Sequence, residues 1–244
     1  MMAGSRSLLA MFAHPDDETF RCGGTLALLS QRGVAVHLLT ATRGEAGAPG
    51  DPPLCAASEL AAVREQELRC ACAALSIEPP ELLDYRDGTL GTVDEEEGAA
   101  HVLAAISRIR PQVLLTWPPD GISGHPDHLA VSRWSTRAFQ TAANMGPYAL
   151  AALYHLAIPR SVAVALGLRQ LQAIPDEDLT LAVDVMAAWD RKMAAIRCHR
   201  TQAGESPILR APEEQQRLFL GKEHFTRAAS RPTHDIMLGL KEVR

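Results

Sequence analysis

The first two thirds of the chain alternates short apolar runs with longer stretches that mix apolar and polar positions. Ser7 to Phe12 reads as a buried strand. Gly24 to Arg32 reads as a helix ended by Gly33, and the β-branched, apolar run Val34 to Thr42 predicts a second strand. Arg43 to Ala57 is rich in Gly and Pro and reads as a loop. A long helix then runs to about Ser76, with Ser58 as its N-cap. Glu81 to Tyr85 is a short strand, and Gly98 to Arg110 is a helix stopped by Pro111. Gln112 to Trp117 is a further buried strand, followed by a helix over Pro126 to Asn144.

Short apolar strands separated by helices predict an α/β fold: a mostly parallel sheet with helices on both faces. Right-handed crossovers place the strand ends on one edge, where such folds bind ligands. Beyond Ala149 the pattern is less regular. Ala149 to Ile158 and Leu179 to Val185 read as strands, and Met186 to Cys198 and Pro212 to Leu220 as helices. No clean linker stands out, so residues 1–244 are expected to form one domain, with a core over about 7–145 and a C-terminal elaboration over about 146–244.

The chain has 244 residues, of which 47% are hydrophobic and 22% charged, as expected of a soluble globular protein. No apolar run approaches the ~20 residues that span a bilayer. Leu8 to Ala13 is too short for the core of a secretory signal, so a cytoplasmic protein without a transmembrane segment is expected. The net charge is −5 and no block of Lys and Arg is present, which argues against a nucleic-acid partner and favours a small substrate. The five cysteines (Cys22, Cys55, Cys70, Cys72 and Cys198) form no pair of CxxC motifs and read as free thiols. Cys70 and Cys72 fall on different faces of one helix.

Two short motifs carry chemistry. Ala13-His14-Pro15-Asp16-Asp17-Glu18 follows the first strand, and in a tight turn His14 and Asp17 face one point as ligands for a divalent metal. Asp16, left unligated, stands where a general base for a bound water is needed. Gly124-His125-Pro126-Asp127-His128 opens a helix, with Pro126 suited to its first turn. His125 and His128 share a face, so one can bind metal while the other serves as an acid or hydrogen-bond donor. Asp127 is placed to hold the free imidazole in one tautomer. A lone His beside Asp in a loop is ordinarily a cap or a solvated turn. Two such clusters on one edge of one sheet are hard to explain as caps.

These motifs resemble the LmbE or PIG-L family of zinc deacetylases. Thr42-Arg43-Gly44-Glu45-Ala46-Gly47, Arg64-Glu65-Gln66-Glu67 and Tyr85-Arg86-Asp87-Gly88 are similar to further segments of that family, with a weaker echo at His199-Arg200-Thr201-Gln202. The resemblance covers about residues 7–140. It points most closely to the branch acting on glucosaminyl-inositol or glucosaminyl-malate precursors of small thiols. It implies a Rossmann-like fold and one catalytic zinc, with Fe2+ or another divalent metal able to use the same donors. By motif position it implies His14, Asp17 and His128 as metal ligands and Asp16 as general base. His125 would stabilise the oxyanion or protonate the leaving amine, with Asp127 orienting it. Arg64 and Asp87 would hold sugar hydroxyls; read without the resemblance, they are a helix-surface ion pair and a turn cap. The chain departs from the family at Ser123, where the closest branch often has Tyr, and at Arg21, where a small residue is common and where the side chain is expected to reach solvent.

The reaction these residues predict is hydrolysis of an N-acyl, chiefly acetyl, group on an amino sugar. Asp16 would take the proton of a metal-activated water, and protonated His125 would stabilise the oxyanion, a contribution of ~3 kcal/mol for such a donor. Competing readings are an amidase on thiol conjugates, a binding domain that kept the site without turnover, and a non-haem iron oxygenase using two His and one carboxylate. The oxygenases usually show that triad on an all-β scaffold. Assembly as a homo-oligomer is compatible with such a fold. His155 and His199 are candidates to line the site from the C-terminal half. His37, His101, His224 and His234 carry no comparable motif.

Overall fold

The computed structural model describes residues 6–142, 150–204, 206–230 and 235–240. Its strands are β1 (Ser7–Phe12), β2 (Ala35–Thr42), β3 (Glu81–Tyr85), β4 (Val113–Thr116), β5 (Ala152–Ala157), β6 (Leu181–Asp184) and β7 (Lys222–Ser230). The helices are α1 (Asp17–Phe20), α2 (Gly23–Gln31), α3 (Leu60–Leu75), α4 (Glu95–Ile109), α5 (Pro126–Ala142), α6 (Arg160–Ala165), α7 (Trp189–Cys198), α8 (Arg200–Ala203), α9 (Pro207–Arg210) and α10 (Glu213–Leu220).

All seven strands form one sheet in the order β3-β2-β1-β4-β5-β7-β6. The first five are mutually parallel. β7 runs antiparallel between β5 and β6. Helices α2, α3 and α7 pack together as one layer and α4 and α5 as another. This is the α/β, mostly parallel sheet that the sequence predicts. β1 lies at the centre of the five parallel strands with every side chain buried, as a strand covered on both faces must be. Ala10 pairs with Leu38 on one side and Leu115 on the other. The chain moves outward from β1 in both directions, so a switch point opens between the carboxyl ends of β1 and β4.

Local chemistry explains where the elements begin and end. α4 starts before the expected Gly98 because the Asp94 carboxylate caps the N–H groups of Glu96 and Glu97, at 2.9 and 3.2 Å. The three glutamates that follow it sit in the first turn, where the helix dipole favours negative charge. Ser58 does not cap α3. Ala57–Glu59 is a turn of 3-10 helix, and the Glu59 carboxylate takes the N–H of Ala56 at 3.1 Å. The strand expected over Ala149 to Ile158 is β5; Ala149 lies outside the described residues, as do Asn144, the expected end of α5, and His234.

Two further expectations are corrected. Cys70 is not a free thiol: it is bonded to Cys198, tying α3 to the end of α7, while Cys22, Cys55 and Cys72 are free. Arg21 does not reach solvent. It is buried, donating to the carbonyls of Phe219 (2.9 Å) and Ala157 (3.1 Å), with its guanidinium 4.4 Å from the centre of the Phe219 ring. No helix among the described residues is long and apolar enough to cross a membrane.

Candidate active site

The carboxyl ends of β1 and β4 bring the two His–Asp clusters to one point. Asp17 is fixed first: its Oδ2 accepts from the backbone N–H of Ala13 (3.1 Å) and His14 (2.9 Å) and from Trp117 Nε1 (3.3 Å). His14 Nδ1 lies 3.7 Å from Asp17 Oδ2, and His128 Nε2 lies 3.6 Å from Asp17 Oδ1. His14, Asp17 and His128 each offer a ligand atom, all within 4.8 Å of one another, and the group can hold a metal ion. Donors bonded to one small divalent cation at ~2.0–2.2 Å stand at most about 4 Å apart, close to the spacing seen here.

The outer nitrogens of the same two rings are already engaged. His14 Nε2 lies 3.0 Å from Asp87 Oδ1 and 3.3 Å from Asp127 Oδ2. His128 Nδ1 lies 3.1 Å from the Gly121 carbonyl. An imidazole whose far nitrogen donates to a carboxylate or carbonyl presents the near one as a metal ligand. The approach is close enough that Gly121, at φ +64, has no room for a side chain: an added Cβ would stand 2.8 Å from His128 Cβ. Trp117 stacks on the His128 ring at 3.9 Å, with an interplanar angle of 8°.

Asp127 is sealed. Its oxygens accept from the N–H groups of Gly88 (2.8 Å) and Leu90 (3.0 Å), and its own N–H donates to His125 Nδ1 at 3.2 Å. Its carboxylate is therefore engaged with the β3–α4 loop and His14, and it meets His125 through the backbone. A second grouping of His14, His125 and Asp127 also lies within 4.8 Å. There the carboxylate is consumed by two N–H donors, which makes it an outer partner of His14. His125 stands exposed at the rim, with its ring 5.0 Å from that of His14.

Asp16 adopts φ 108° and ψ −26°, a strained conformation for a residue with a side chain. Its N–H donates to Glu18 Oε2 at 3.0 Å and its carbonyl accepts from Thr19 Oγ1 at 2.8 Å. Arg64 Nη2 lies 3.4 Å from Asp16 Oδ2. Arg64 is buried, so the surface ion pair is ruled out. It donates to the carbonyls of Gly44 (2.6 Å) and Pro15 (2.5 Å). Gly44, at φ +70, lets the guanidinium pass; an added Cβ would fall 2.3 Å from Arg64 Cζ.

The electrostatics suit a cation. Burial opposes charge on His14, but hydrogen bonds to Asp127 and Asp87, with the Asp17 charge, more than offset it and push the imidazole up to about 10. Carboxylates thus hold a proton where a metal would supply the positive charge. Burial keeps His128 below the ordinary histidine range, leaving a neutral ring suited to ligation. Although 24% of the Asp16 side chain stays exposed, desolvation drives its carboxyl up to about 7 against the pull of Arg64.

A cleft of about 350 Å³ opens on this group and is lined by His14, Asp16, Asp17, Arg64, Asp87, His125 and His128 among others. Every sequence-predicted site residue except the sealed Asp127 lies on its wall. His155 and His199 do not line it. Gln202 does, and so does the segment around Gly47. Sequence reasoning missed two supports, Trp117 behind His128 and Glu18 beneath Asp16, and it placed His199 on the wall, whereas its Nε2 meets Glu18 behind the cleft. The signals were present in the Trp that ends the fourth apolar run and in the His199–Gln202 echo.

Comparison with known proteins bears on the same residues. A family model described as PIG-L, GlcNAc-PI de-N-acetylase, matches residues 9–139, which contain both clusters. A 1D-myo-inositol 2-acetamido-2-deoxy-alpha-D-glucopyranoside deacetylase from Acidothermus cellulolyticus is 35% identical over 261 residues, covering 90% of this chain and 88% of its own. In structure, a conserved protein from Thermus thermophilus aligns with a TM-score of 0.69 at 25% identity, over 93% of this chain and 96% of its own. The N,N'-diacetylchitobiose deacetylase of Pyrococcus horikoshii aligns with a TM-score of 0.66 at 20% identity, over 92% and 84%, a likeness of fold.

Proposed function

The chain belongs to the PIG-L family of de-N-acetylases, and from that premise we propose that it is a zinc-dependent hydrolase removing acetyl from the glucosamine nitrogen of a glucosaminyl-inositol or a related conjugate. The observation that carries the proposal is the arrangement of His14, Asp17 and His128. Two rings turn one nitrogen each toward a shared carboxylate while their other nitrogens are held by Asp87, Asp127 and the Gly121 carbonyl. Two imidazoles and a carboxylate suit zinc and leave a coordination position open. Zinc bound there would lower the pKa of a coordinated water to ~7 and polarise the amide carbonyl.

The remaining roles fall to side chains of the cleft. Asp16, with its carboxyl raised to about 7, takes a proton from the attacking water near neutral pH. Arg64 holds the backbone of that turn through Pro15 and steadies the Asp16 carboxylate once charged. His125, at the rim, donates to the developing oxyanion or to the departing nitrogen. Asp87 sits on the wall where a sugar ring would lie; one of its oxygens orients His14 and the other accepts the N–H of Ala46 at 3.0 Å. The α/β scaffold and deacetylase relatives weigh against the iron-oxygenase reading.

The test is acetate release from N-acetylglucosamine, its inositol conjugate and its malate conjugate, with and without added zinc. Turnover of a conjugate that depends on zinc is expected. No release from any of the three by the zinc-loaded protein would overturn the proposal.

A further inference from the structure

His128 is a wall of two cavities. One is the polar cleft described above. The other, about 370 Å³, borders the same ring and is bounded by the end of α1, the loop after β4 and the α9 segment. Its walls include Phe20, Trp117, Ile122, Leu171, Ile208 and Phe219. Among the described residues that line it, Arg21 is the only acidic or Lys/Arg side chain, and both guanidinium Nη atoms are already spent on the carbonyls of Phe219 and Ala157. Ser123, Gln170 and Ser206 also border it, but the exposed lining is mostly apolar, which favours an aliphatic group over a hydroxyl-rich one.

An amide has two arms. The polar cleft, with Arg64, Asp87 and His125, suits the amine-bearing sugar. The other arm, the acyl group, then points away from the sugar, across His128. Trp117 lines the apolar cavity and touches the ligand group from there, stacking on His128 and donating to Asp17. Phe20 lies in α1, one turn beyond Asp17, and Ser123, a small residue beside the second cluster, also borders the cavity. A single methyl group leaves most of this volume empty, since the cavity is already in the range that encloses whole small ligands.

We propose that this cavity is an acyl-chain subsite and that the enzyme hydrolyses N-acyl amino sugars carrying short to medium aliphatic chains in addition to acetyl. The proposal rests on the N-deacylase reading above. The chain lies along Trp117, Leu171 and Ile208, and its carbonyl remains at the group formed by His14, Asp17 and His128.

The experiment has two arms on the zinc-loaded protein. The first measures kcat/KM for acetyl, butanoyl and hexanoyl amides of one glucosaminyl conjugate. Each buried methylene is expected to raise it about threefold to fourfold. The second titrates acetate, hexanoate and octanoate into the protein by calorimetry, reading binding without turnover. Octanoate is expected to bind at least about tenfold tighter than acetate. Filling the cavity with Leu171→Trp should lower the hexanoyl-to-acetyl ratio of kcat/KM, and the octanoate-to-acetate affinity ratio, by about tenfold. A steady fall of kcat/KM from acetyl to hexanoyl, with equal carboxylate affinities, overturns the subsite. Failure to release acetate or any longer acid overturns the deacylase reading instead, and the carboxylate titration still decides whether the cavity binds a chain.

Discussion

His199 Nε2 lies 2.7 Å from Glu18 Oε1, and both side chains are wholly enclosed. The other carboxylate oxygen of Glu18 accepts the backbone N–H of Asp16 at 3.0 Å. Burial opposes charge on His199, but the Glu18 carboxylate outweighs it and holds the imidazole above its ordinary range. The pair braces the left-handed turn that presents Asp16. One helical turn past Arg64, Glu67 anchors the same C-terminal segment by accepting from the N–H and hydroxyl of Thr201, at 2.9 and 2.7 Å.

Removing the brace should affect turnover more than binding. For His199→Phe we expect kcat to fall about 10- to 100-fold, since misplacing a catalytic group by about 1 Å has costs on this scale. KM should change less than about threefold. Leaving Glu18 buried without its partner should also lower stability by about 3 kcal/mol. Steady-state kinetics and urea unfolding measure the two effects. An unchanged kcat would show that the Asp16 turn is held without His199.

Asp16→Ala addresses the base itself. The expected loss in kcat is about 10²- to 10⁴-fold, with zinc content by atomic absorption unchanged, because Asp16 is not among the three ligands. Turnover within threefold of the parent would remove Asp16 from the chemistry.

Metal removal should be visible in stability as well as activity. At metal concentrations ~100-fold above the dissociation constant, binding contributes about 2.7 kcal/mol. For a chain of this size that corresponds to a Tm rise of about 5–10 °C. A chelator should reverse it and abolish acetate release, and zinc should restore both. His128→Ala should show neither the Tm rise nor the recovery, and a zinc-dependent Tm in that variant would speak against the ligand set.

The parallel half of this fold was legible because β1 and β4 are short, almost wholly apolar runs and β2 is apolar but for His37 and two threonines, the pattern of strands buried on both faces. The antiparallel β7 was not, because its buried positions include Glu223 and His224, which read as surface residues. Glu223 is neutralised by Lys192 at 2.7 Å and accepts the N–H groups of Gly24 and Thr25, partners up to 199 positions away. The metal ligands were legible as short-range motifs after strands. Their outer partners were only half so. Asp87 and Asp127 were picked out, yet the contact of both with His14 depends on how the β3–α4 loop folds over α5. The Cys70–Cys198 link joins residues 128 positions apart and carries no local signal.

Two histidines outside the cleft set an acid limit on stability. His155 in β5 and His224 in β7 are buried, and Nε2 of the first and Nδ1 of the second have no hydrogen-bond partner among the described residues. Burial pushes each imidazole down to about 4, against a weak opposite pull from Asp120 on His155. Arg21, Lys222 and Lys192 push His224 further down, while Asp176 opposes them. Each ring is therefore neutral in the folded chain and protonated at the ordinary ~6.5 in the unfolded one. Between about pH 4 and 6.5 the unfolded state binds more protons, so stability rises with pH across that window and is lost as pH falls through it. Each site contributes at most about 3 kcal/mol between those limits. Asp16 and His14, raised in the folded chain, add stability as pH falls over part of the same range, so the contribution of the two rings is read as a difference between proteins. On going from pH 7 to pH 5, the urea midpoint of a double variant, His155→Phe with His224→Leu, should fall less, or rise more, than that of the parent, while the transition stays cooperative. An equal shift in that variant would move the acid sensitivity away from these two side chains and onto the carboxylates.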